Sequence, residues 1–492
     1  MSPKSLSHQV GILTLGRVLA FAAMFFVPIV NVRTLSVEEY GYYRQFWLLF
    51  ETLTPILILG FPRSLLYFFP RSESAREKSV YVTQTVVFLF AVSVVAVIVY
   101  TLMGWVLGGG MGAMVRAFYW RLCFFTVFMM MSRHMEELFV AEKQVERQAV
   151  YYVVTALVRA GVVIAVSWYV RDVSAIIWGL AIMSVAKVAF ALIYTRAVYK
   201  PSLSLVSFSS IREQLSFALP LGMMVIATLL LTQTDKFIIN RFLGREAFAI
   251  YSVGAFQLPF VAIIAGSVAN VAFPIMARFQ KDGLYSEFGA LWKRAWLKTA
   301  VLFFPIFVFF MITAEQFIII LFTETYADAI PVFRIYLVLF LKATTDYAGV
   351  LTAFKKQAYL FKVLLVAFVA HVITSIALFH VWGRLGVPLS TVFWFFVVAV
   401  LAVRKGGQLL SLSFWQTVPW RGLLARLVAA AVPGVILYFI YAQNHNYSVL
   451  HYIVAGVSYF AGYLALCWTF RLLTLDDIRS LLGKRLSETN SV

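Results

Sequence analysis

The chain has 492 residues, of which 62% are hydrophobic and only 13% charged, with a mean hydropathy of +0.87. A soluble domain carries roughly 25% charged residues, so this composition cannot cover a water-facing globule, and the short charged turns between long apolar runs leave no room for an extra soluble domain. The net charge of +19, from 41 Lys and Arg against 22 Asp and Glu, fits nucleic acid, an anionic membrane surface or an anionic substrate, and placement must decide between them.

In chain order, the polar start from Met1 to Val10 precedes an apolar run too long for a signal peptide and without a small-residue cleavage site, so a retained first span is expected. Runs of about 20 apolar residues predict fourteen spans, near 10–32, 46–69, 81–107, 117–140, 151–170, 175–195, 216–240, 248–277, 296–322, 330–354, 359–380, 385–403, 422–442 and 449–470. Cys123 and Cys467 both lie inside such runs, where a thiol acts as a small hydrophobe, and no disulfide is expected. The expected fold class is an all-α polytopic membrane protein of about 14 transmembrane helices.

Lys and Arg in the short loops set the orientation. One set of loops holds Arg71, Arg76, Lys78, Lys143, Arg147, Arg196, Lys200, Arg212, Arg278, Lys281, Lys293, Arg294, Lys355, Lys356, Arg404, Lys405, Arg471, Arg479, Lys484 and Arg485. The alternate set holds Arg33, Arg116, Arg171, Arg241, Arg245 and Arg384, a ratio of roughly three to one. Both termini are therefore expected on the cytoplasmic side. Most of the net charge is thereby a topology signal, and with no aromatic-interleaved basic stripe a nucleic-acid partner is not expected.

An internal similarity organises the chain. The segment Arg33-Thr-Leu-Ser-Val-Glu38-Glu-Tyr40-Gly-Tyr-Tyr43 aligns with Arg241-Phe-Leu-Gly-Arg-Glu246-Ala-Phe248-Ala-Ile-Tyr251, each in the loop after the first helix of a six-helix half. Parallel repeats in transporters give that arrangement. It predicts an N-terminal lobe over 1–199, a cytoplasmic linker over 200–214, a C-terminal lobe over 215–405, and two added helices with a cytoplasmic tail over 406–492.

Several loose motifs occur in order: Leu215-Ser-Phe-Ala-Leu-Pro220-Leu, Thr234-Asp235-Lys236, Phe242-Leu-Gly244, Ala249-Ile-Tyr251, Phe273-Pro274 and, near the N-terminus, Glu39-Tyr40-Gly41-Tyr42-Tyr43. With the six-plus-six-plus-two layout, the sequence resembles the polysaccharide-transport branch of the multidrug/oligosaccharidyl-lipid/polysaccharide (MOP) exporter superfamily, which includes O-antigen repeat-unit flippases. That resemblance implies two six-helix lobes facing a central cavity open alternately to each side of a bacterial inner membrane. It implies a lipid-diphosphate-linked oligosaccharide as cargo, with membrane lipids and polysaccharide-assembly proteins as partners.

A charge at mid-bilayer costs at least a few kcal/mol, so each one inside a span is a functional candidate. Arg17 shares a helix face with Phe21, Met24, Pro28 and Asn31, and either points into a lumen or snorkels to the cytoplasmic interface. Arg159 and Lys187 fall mid-span with no carboxylate at i±3 or i±4. Either they face an aqueous cavity or they meet a carboxylate on another helix, such as Glu51 or Glu136. Tyr152, Thr155 and Arg159 share one face, as do Ser184 and Lys187. Arg63, after Pro62, is suited to meet a diphosphate on entry. Lys236 and Lys342 complete the substrate-binding candidates. Lys342 and Asp346, four apart on a helix, are expected to neutralise each other, and Asp235 and Lys236, being adjacent, to diverge. Asp235 and Asp346 are the candidates for proton or sodium coupling, with His371 a weaker one. Arg133, His134, Glu136 and Glu137 read as an interfacial collar with an Arg133–Glu137 pair.

No phosphate-cradling Gly-x-x-x-x-Gly-Lys-Ser/Thr loop, Cys/His metal spacing or nucleophile elbow occurs, so no cofactor, metal or ATP hydrolysis is expected and the chain is read as a non-enzyme. The expected function is a flippase moving an undecaprenyl-diphosphate-linked oligosaccharide from the cytoplasmic to the periplasmic leaflet. The rivals are a cation-coupled drug exporter of the same superfamily, whose cavity carboxylates should outnumber its cations, and a membrane glycan polymerase or ligase, which needs a sizeable outer loop. A major-facilitator transporter would need a basic Gly/Asp/Arg loop where residues 70–79 stand.

Overall fold

The computed structural model describes residues 6–106, 108–256, 258–443 and 448–473, and among these there is no strand. The N-terminal series is α1 (Leu6–Thr34), α2 (Val37–Ile58), α3 (Ala75–Val106), α4 (Gly109–Met131), α5 (His134–Ala141), α6 (Val145–Tyr169) and α7 (Val173–Tyr199). Then come α8 (Phe208–Gly254), α9 (Pro259–Lys281) and α10 (Tyr285–Phe322). The last are α11 (Ile330–Leu337), α12 (Leu339–Lys342), α13 (Tyr347–Ala353), α14 (Gln357–Trp382), α15 (Gly386–Leu409), α16 (Trp420–Gln443) and α17 (Val449–Thr469).

Among the described residues nine helices are individually long and apolar enough to cross a bilayer, and the bent pair Val37–Ile58 with Phe61–Arg71 makes ten. One of the nine, Gln357–Leu409, runs for 53 residues and holds two predicted spans, α14 and α15. The first predicted span falls on α1, whereas the eighth, 248–277, straddles the end of α8 and most of α9, the helix being broken between Gly254 and Pro259. The protein is a multi-pass membrane protein, and the outward faces match a lipid solvent: Val154, Val158, Ile193 and Phe190 are exposed on α6 and α7, with Trp105, Trp168 and Tyr169 exposed at helix ends.

The tenth predicted span differs. Instead of one helix over 330–354, the chain forms three short helices, because Thr344 to Asp346 leave the helical path and Asp346 caps the next segment, its carboxylate accepting from the Gly349 amide at 2.9 Å. Asp and Thr compete with helical hydrogen bonds in this way.

Local chemistry fixes the other boundaries. Ser36 opens α2 with a capping box in which its hydroxyl accepts from the Glu39 amide and Glu39 reaches back to the Ser36 amide. The helix ends where Leu59 and Gly60 adopt left-handed φ values of 52° and 72°, and the following segment turns by 46°. Asp172 caps α7 on the Ser174 and Ala175 amides. Within α8, Gly244 at φ 81° marks a kink that only glycine takes without strain.

The chain divides into two compact units. The first comprises 1–252 and 368–387; the second comprises 253–367 and 388–492. In the first unit α1 packs along α6, α3 on α4, and α4 on α7. Ser167 donates to Asn31 at 2.7 Å, and Phe125 packs against Phe46 and Phe50 with ring centroids 5.0 and 4.7 Å apart. Also in this unit, α8 lies against α2 at two levels. At one, Arg245 pairs with Glu38 and stacks on Tyr42, while Gln45 donates to Asn240 at 2.5 Å. The two similar loops found in the sequence thus touch each other. At the other, Gly222 meets the backbone of Leu59 and Gly60, and Gln214 donates to Ser64 at 3.0 Å.

In the second unit α10 packs on α9 and α16, and α16 on α17. Buried hydroxyls tie them together, Tyr463 donating to the Val301 carbonyl at 2.8 Å and Tyr459 to the Ala430 carbonyl at 3.0 Å.

Candidate functional site

The first unit encloses two small adjoining chambers. One, of about 220 Å³, is lined by Phe21 and Met24 of α1, Met129 and Arg133, Glu136 of α5, Tyr152 and Arg159 of α6, and Lys187 of α7. The other, of about 130 Å³, is lined by Pro62, Arg63, Arg133, Glu136, Glu137 and Gly222 among others. Arg133 and Glu136 belong to both. Together they place four cations, Arg63, Arg133, Arg159 and Lys187, around two carboxylates, Glu136 and Glu137.

The charges are partly paired. Glu136 receives Lys187 through one oxygen at 3.4 Å and Arg133 through the other at 3.4 Å, and Glu137 lies 4.0 Å from Arg63. The Lys187 side chain is only 6% exposed, so Glu136 compensates a desolvation that would otherwise be prohibitive. Lys187 also stands 5.4 Å from the Tyr151 ring centre. Arg159 is held differently, with Nε 3.2 Å from the Met24 sulfur and the guanidinium 5.3 Å from the Trp47 ring centre. No carboxylate among the described residues forms an ion pair with Arg159. A guanidinium stacked on an indole keeps its edge donors directed elsewhere. Two cations are thus left over to compensate an anion.

Of the two alternatives for Arg159 and Lys187, Lys187 takes the carboxylate partner, Glu136, and Arg159 takes the cavity. The expected Arg133–Glu137 pair is not the one formed: α4 stops at Met131 and α5 restarts at His134, so Arg133 turns to Glu136 and leaves Glu137 to Arg63. Arg133 therefore lines the site rather than an interfacial collar. The side chain of Arg17 lies outside the described residues. Asp235 and Lys236 do not diverge. The lysine stem curls back so that Nζ reaches 3.7 Å from the Asp235 carboxylate and donates to the Thr232 carbonyl at 2.7 Å, while the Tyr251 hydroxyl donates to Asp235 at 2.7 Å. His371 is buried in the same unit, its ring hydrogen-bonded to Ser375 at 3.0 Å.

Lys342 and Asp346 belong to the second unit and do not neutralise each other. The chain unwinds between them, Lys342 lies over the rings of Phe395 and Tyr347 at 5.0 and 5.4 Å, and Asp346 caps α13. Asp346 lines a separate chamber of about 250 Å³ walled by Trp292, Trp296 and Thr344. Asp346→Ala is expected to lower stability by about 1 kcal/mol through loss of the cap, whereas Asp346→Asn keeps most of it; thermal unfolding of the purified protein checks both. Lost transport with unchanged stability in Asp346→Asn would give that carboxylate the coupling role instead.

The helical bundle that carries this cationic chamber is shared with proteins of known structure. Over 94% of its length the chain superposes on all of the lipid II flippase MurJ in an inward closed conformation, with a TM-score of 0.70 at 14% identity. It matches an inward-facing multidrug resistance MATE family transporter of the MOP superfamily with a TM-score of 0.58 at 14% identity, covering 80% of this chain and 94% of that one. A MOP superfamily transporter from Pyrococcus furiosus, described by the reverse polarity of its binding pocket, gives 0.58 at 12% identity over 82% of this chain and 96% of its own. An uncharacterized membrane protein of Methanocaldococcus jannaschii is 21% identical over 281 residues, so the chain spans about half that relative, 54%, and the match covers 56% of this chain. The sequence profile described as "Polysaccharide biosynthesis protein" matches residues 30–331. The chain belongs to that polysaccharide biosynthesis protein family, and it shares its fold with the MurJ and MATE structures.

Proposed function

We propose that this protein is a flippase that carries an undecaprenyl-diphosphate-linked oligosaccharide from the cytoplasmic to the periplasmic leaflet of a bacterial inner membrane. The observation that carries this reading is the surplus of cations over carboxylates in the chambers of the first unit. A diphosphate diester bears a negative charge on each phosphorus and many acceptor oxygens, which suits Arg forks and a Lys point charge. Arg159, without a carboxylate partner, and Arg63, half exposed, are the groups best placed to exchange their present contacts for phosphate oxygens. Lys187 and Arg133 would share Glu136 between the loaded and empty states. Thr155 and Tyr152 supply groups for sugar. A drug cation would be repelled by this set, which disfavours the multidrug exporter reading.

The lobes proposed for alternating access are residues 1–199 and 215–405, joined by 200–214 and followed by 406–492, with both termini cytoplasmic. For a coupling ion, Asp235 beside Lys236 and Tyr251 is the preferred carboxylate. Complementation of a bacterial strain lacking its own O-antigen flippase tests the reading. Wild type is expected to restore surface polysaccharide, and Arg159→Ala and Lys187→Ala at matched membrane abundance to lose it. Full activity in both variants would remove these cations from substrate binding.

A further inference from the structure

On the membrane-facing side of the first unit, α6 and α7 form a groove of about 720 Å³, within the range of pockets that hold a small ligand. Two helices bound it. They approach closely where Gly179 of α7 faces α6, a Cβ there falling 2.8 Å from the Val162 side chain, and beyond that contact Val150, Val154 and Val158 of α6 and Met183, Ala186 and Phe190 of α7 line the groove, with Tyr151 and Phe190 stacked at 5.7 Å. The floor of this groove is unusual for a lipid-facing surface. Tyr151, Thr155 and Lys187 line both the groove and the cationic chamber behind it. A single layer of side chains therefore separates an apolar slot open to lipid from the site of Arg133 and Arg159. The lining also includes the pair Glu146 and Arg147, whose charges cancel, with Arg147 hydrogen-bonded to Gln144 at 2.8 Å.

We propose that the groove between α6 and α7 receives the polyprenyl tail of the transported lipid, with the diphosphate held past Lys187 in the chamber; this rests on the flippase reading above. The wall that the two cavities share, Tyr151, Thr155 and Lys187, and the match between a largely apolar slot backed by cations and a lipid with an anionic head, favour this occupant over an ordinary bilayer phospholipid. A neutral or zwitterionic head would leave the surplus cations uncompensated.

The test compares binding of undecaprenyl diphosphate and of inorganic diphosphate to the purified full-length protein in nanodiscs. Wild type is expected to bind the prenylated probe more tightly than the inorganic one. Filling the slot from either side, by Val154→Trp or Ala186→Phe, is expected to weaken undecaprenyl diphosphate about tenfold or more, the loss of one well-buried apolar contact, with inorganic diphosphate unchanged. Leu157→Trp, on the same helix and outside the groove, should behave as wild type. Two independent filling variants guard against one failing to fold. Wild-type affinity for undecaprenyl diphosphate in both overturns the tail site, and so does its displacement by phosphatidylglycerol at equal mole fraction. Wild type that binds neither diphosphate overturns the cationic-chamber reading itself, a separate outcome from the failure of the groove.

Discussion

Arg159→Glu is expected to reduce transport by about a hundredfold or more, because like-charge juxtaposition costs several kcal/mol. The substitution turns four cations and two carboxylates into three of each, so the chamber no longer carries a surplus for a diphosphate. The variant should remain folded. Arg159 leaves no stranded carboxylate behind, since its present neighbours are the Met24 sulfur and the Trp47 ring. This separates it from Lys187→Ala, which strips a buried partner from Glu136 and is expected to harm both stability and transport. Arg159→Lys keeps the charge but loses the planar stacking and the paired donors, and an intermediate rate should follow. Flipping of a fluorescent polyprenyl-diphosphate lipid in proteoliposomes measures all three. Wild-type rates in Arg159→Glu would mean that the anion is bound elsewhere.

The second large effect is expected at Gly222, where α8 passes the break at Leu59 and Gly60. A Cβ on Gly222 would fall inside the Leu59 carbonyl and 3.0 Å from the Leu59 Cα, and one on Gly60 would lie 3.2 Å from the Gly222 Cα. Both partners are backbone, so no flexible side chain can yield. Gly222→Val is therefore expected to cost roughly 1–3 kcal/mol, the usual penalty for overpacking, by forcing apart helices whose contact depends on small residues. Gly161→Val is the matched comparison, because nothing lies within 4 Å of a Cβ there. Thermal unfolding of the two purified variants decides the matter, and equal midpoints would show that α2 and α8 do not meet at Gly222 in the membrane.

Much of this fold can be read from the sequence, because a bilayer demands about 20 apolar residues per span and the chain has little else. Boundaries moved by several residues, as at α1, which is already helical at Leu6, and α8, which continues past Asn240 to its kink at Gly244. The site was less visible, for identifiable reasons. Periodicity assumes a continuous helix, and it failed at Ser132–Arg133 and at Thr344–Asp346, where the helix stops. The Thr-Thr-Asp run before Tyr347 was a capping signal available in the sequence. Adjacent positions diverge at Cβ, yet a lysine stem is long enough to return, as Lys236 does to Asp235. Glu136 could be named as a partner for Lys187, whereas its sharing with Arg133 required the spatial arrangement of α5 and α7. Likewise the similarity between residues 33–43 and 241–251 was detectable, but not that Glu38 of one meets Arg245 of the other.

From Ala343 to Asp346 the chain leaves the helical path within the second unit. Ala343 keeps its helical bond to the Leu339 carbonyl while Thr345 makes only a turn bond of 3.4 Å to the Lys342 carbonyl, and backbone off the helical path inside a bilayer is tolerated only beside protein or water. The chamber walled by Trp292, Trp296 and Thr344 supplies that setting, with the Trp296 indole donating to the Thr344 hydroxyl at 2.7 Å. The second unit thus contains a small polar seam among apolar helices. Helices on either side of such a seam can change their relative angle by exchanging hydrogen bonds one for one, without exposing any of them to hydrocarbon.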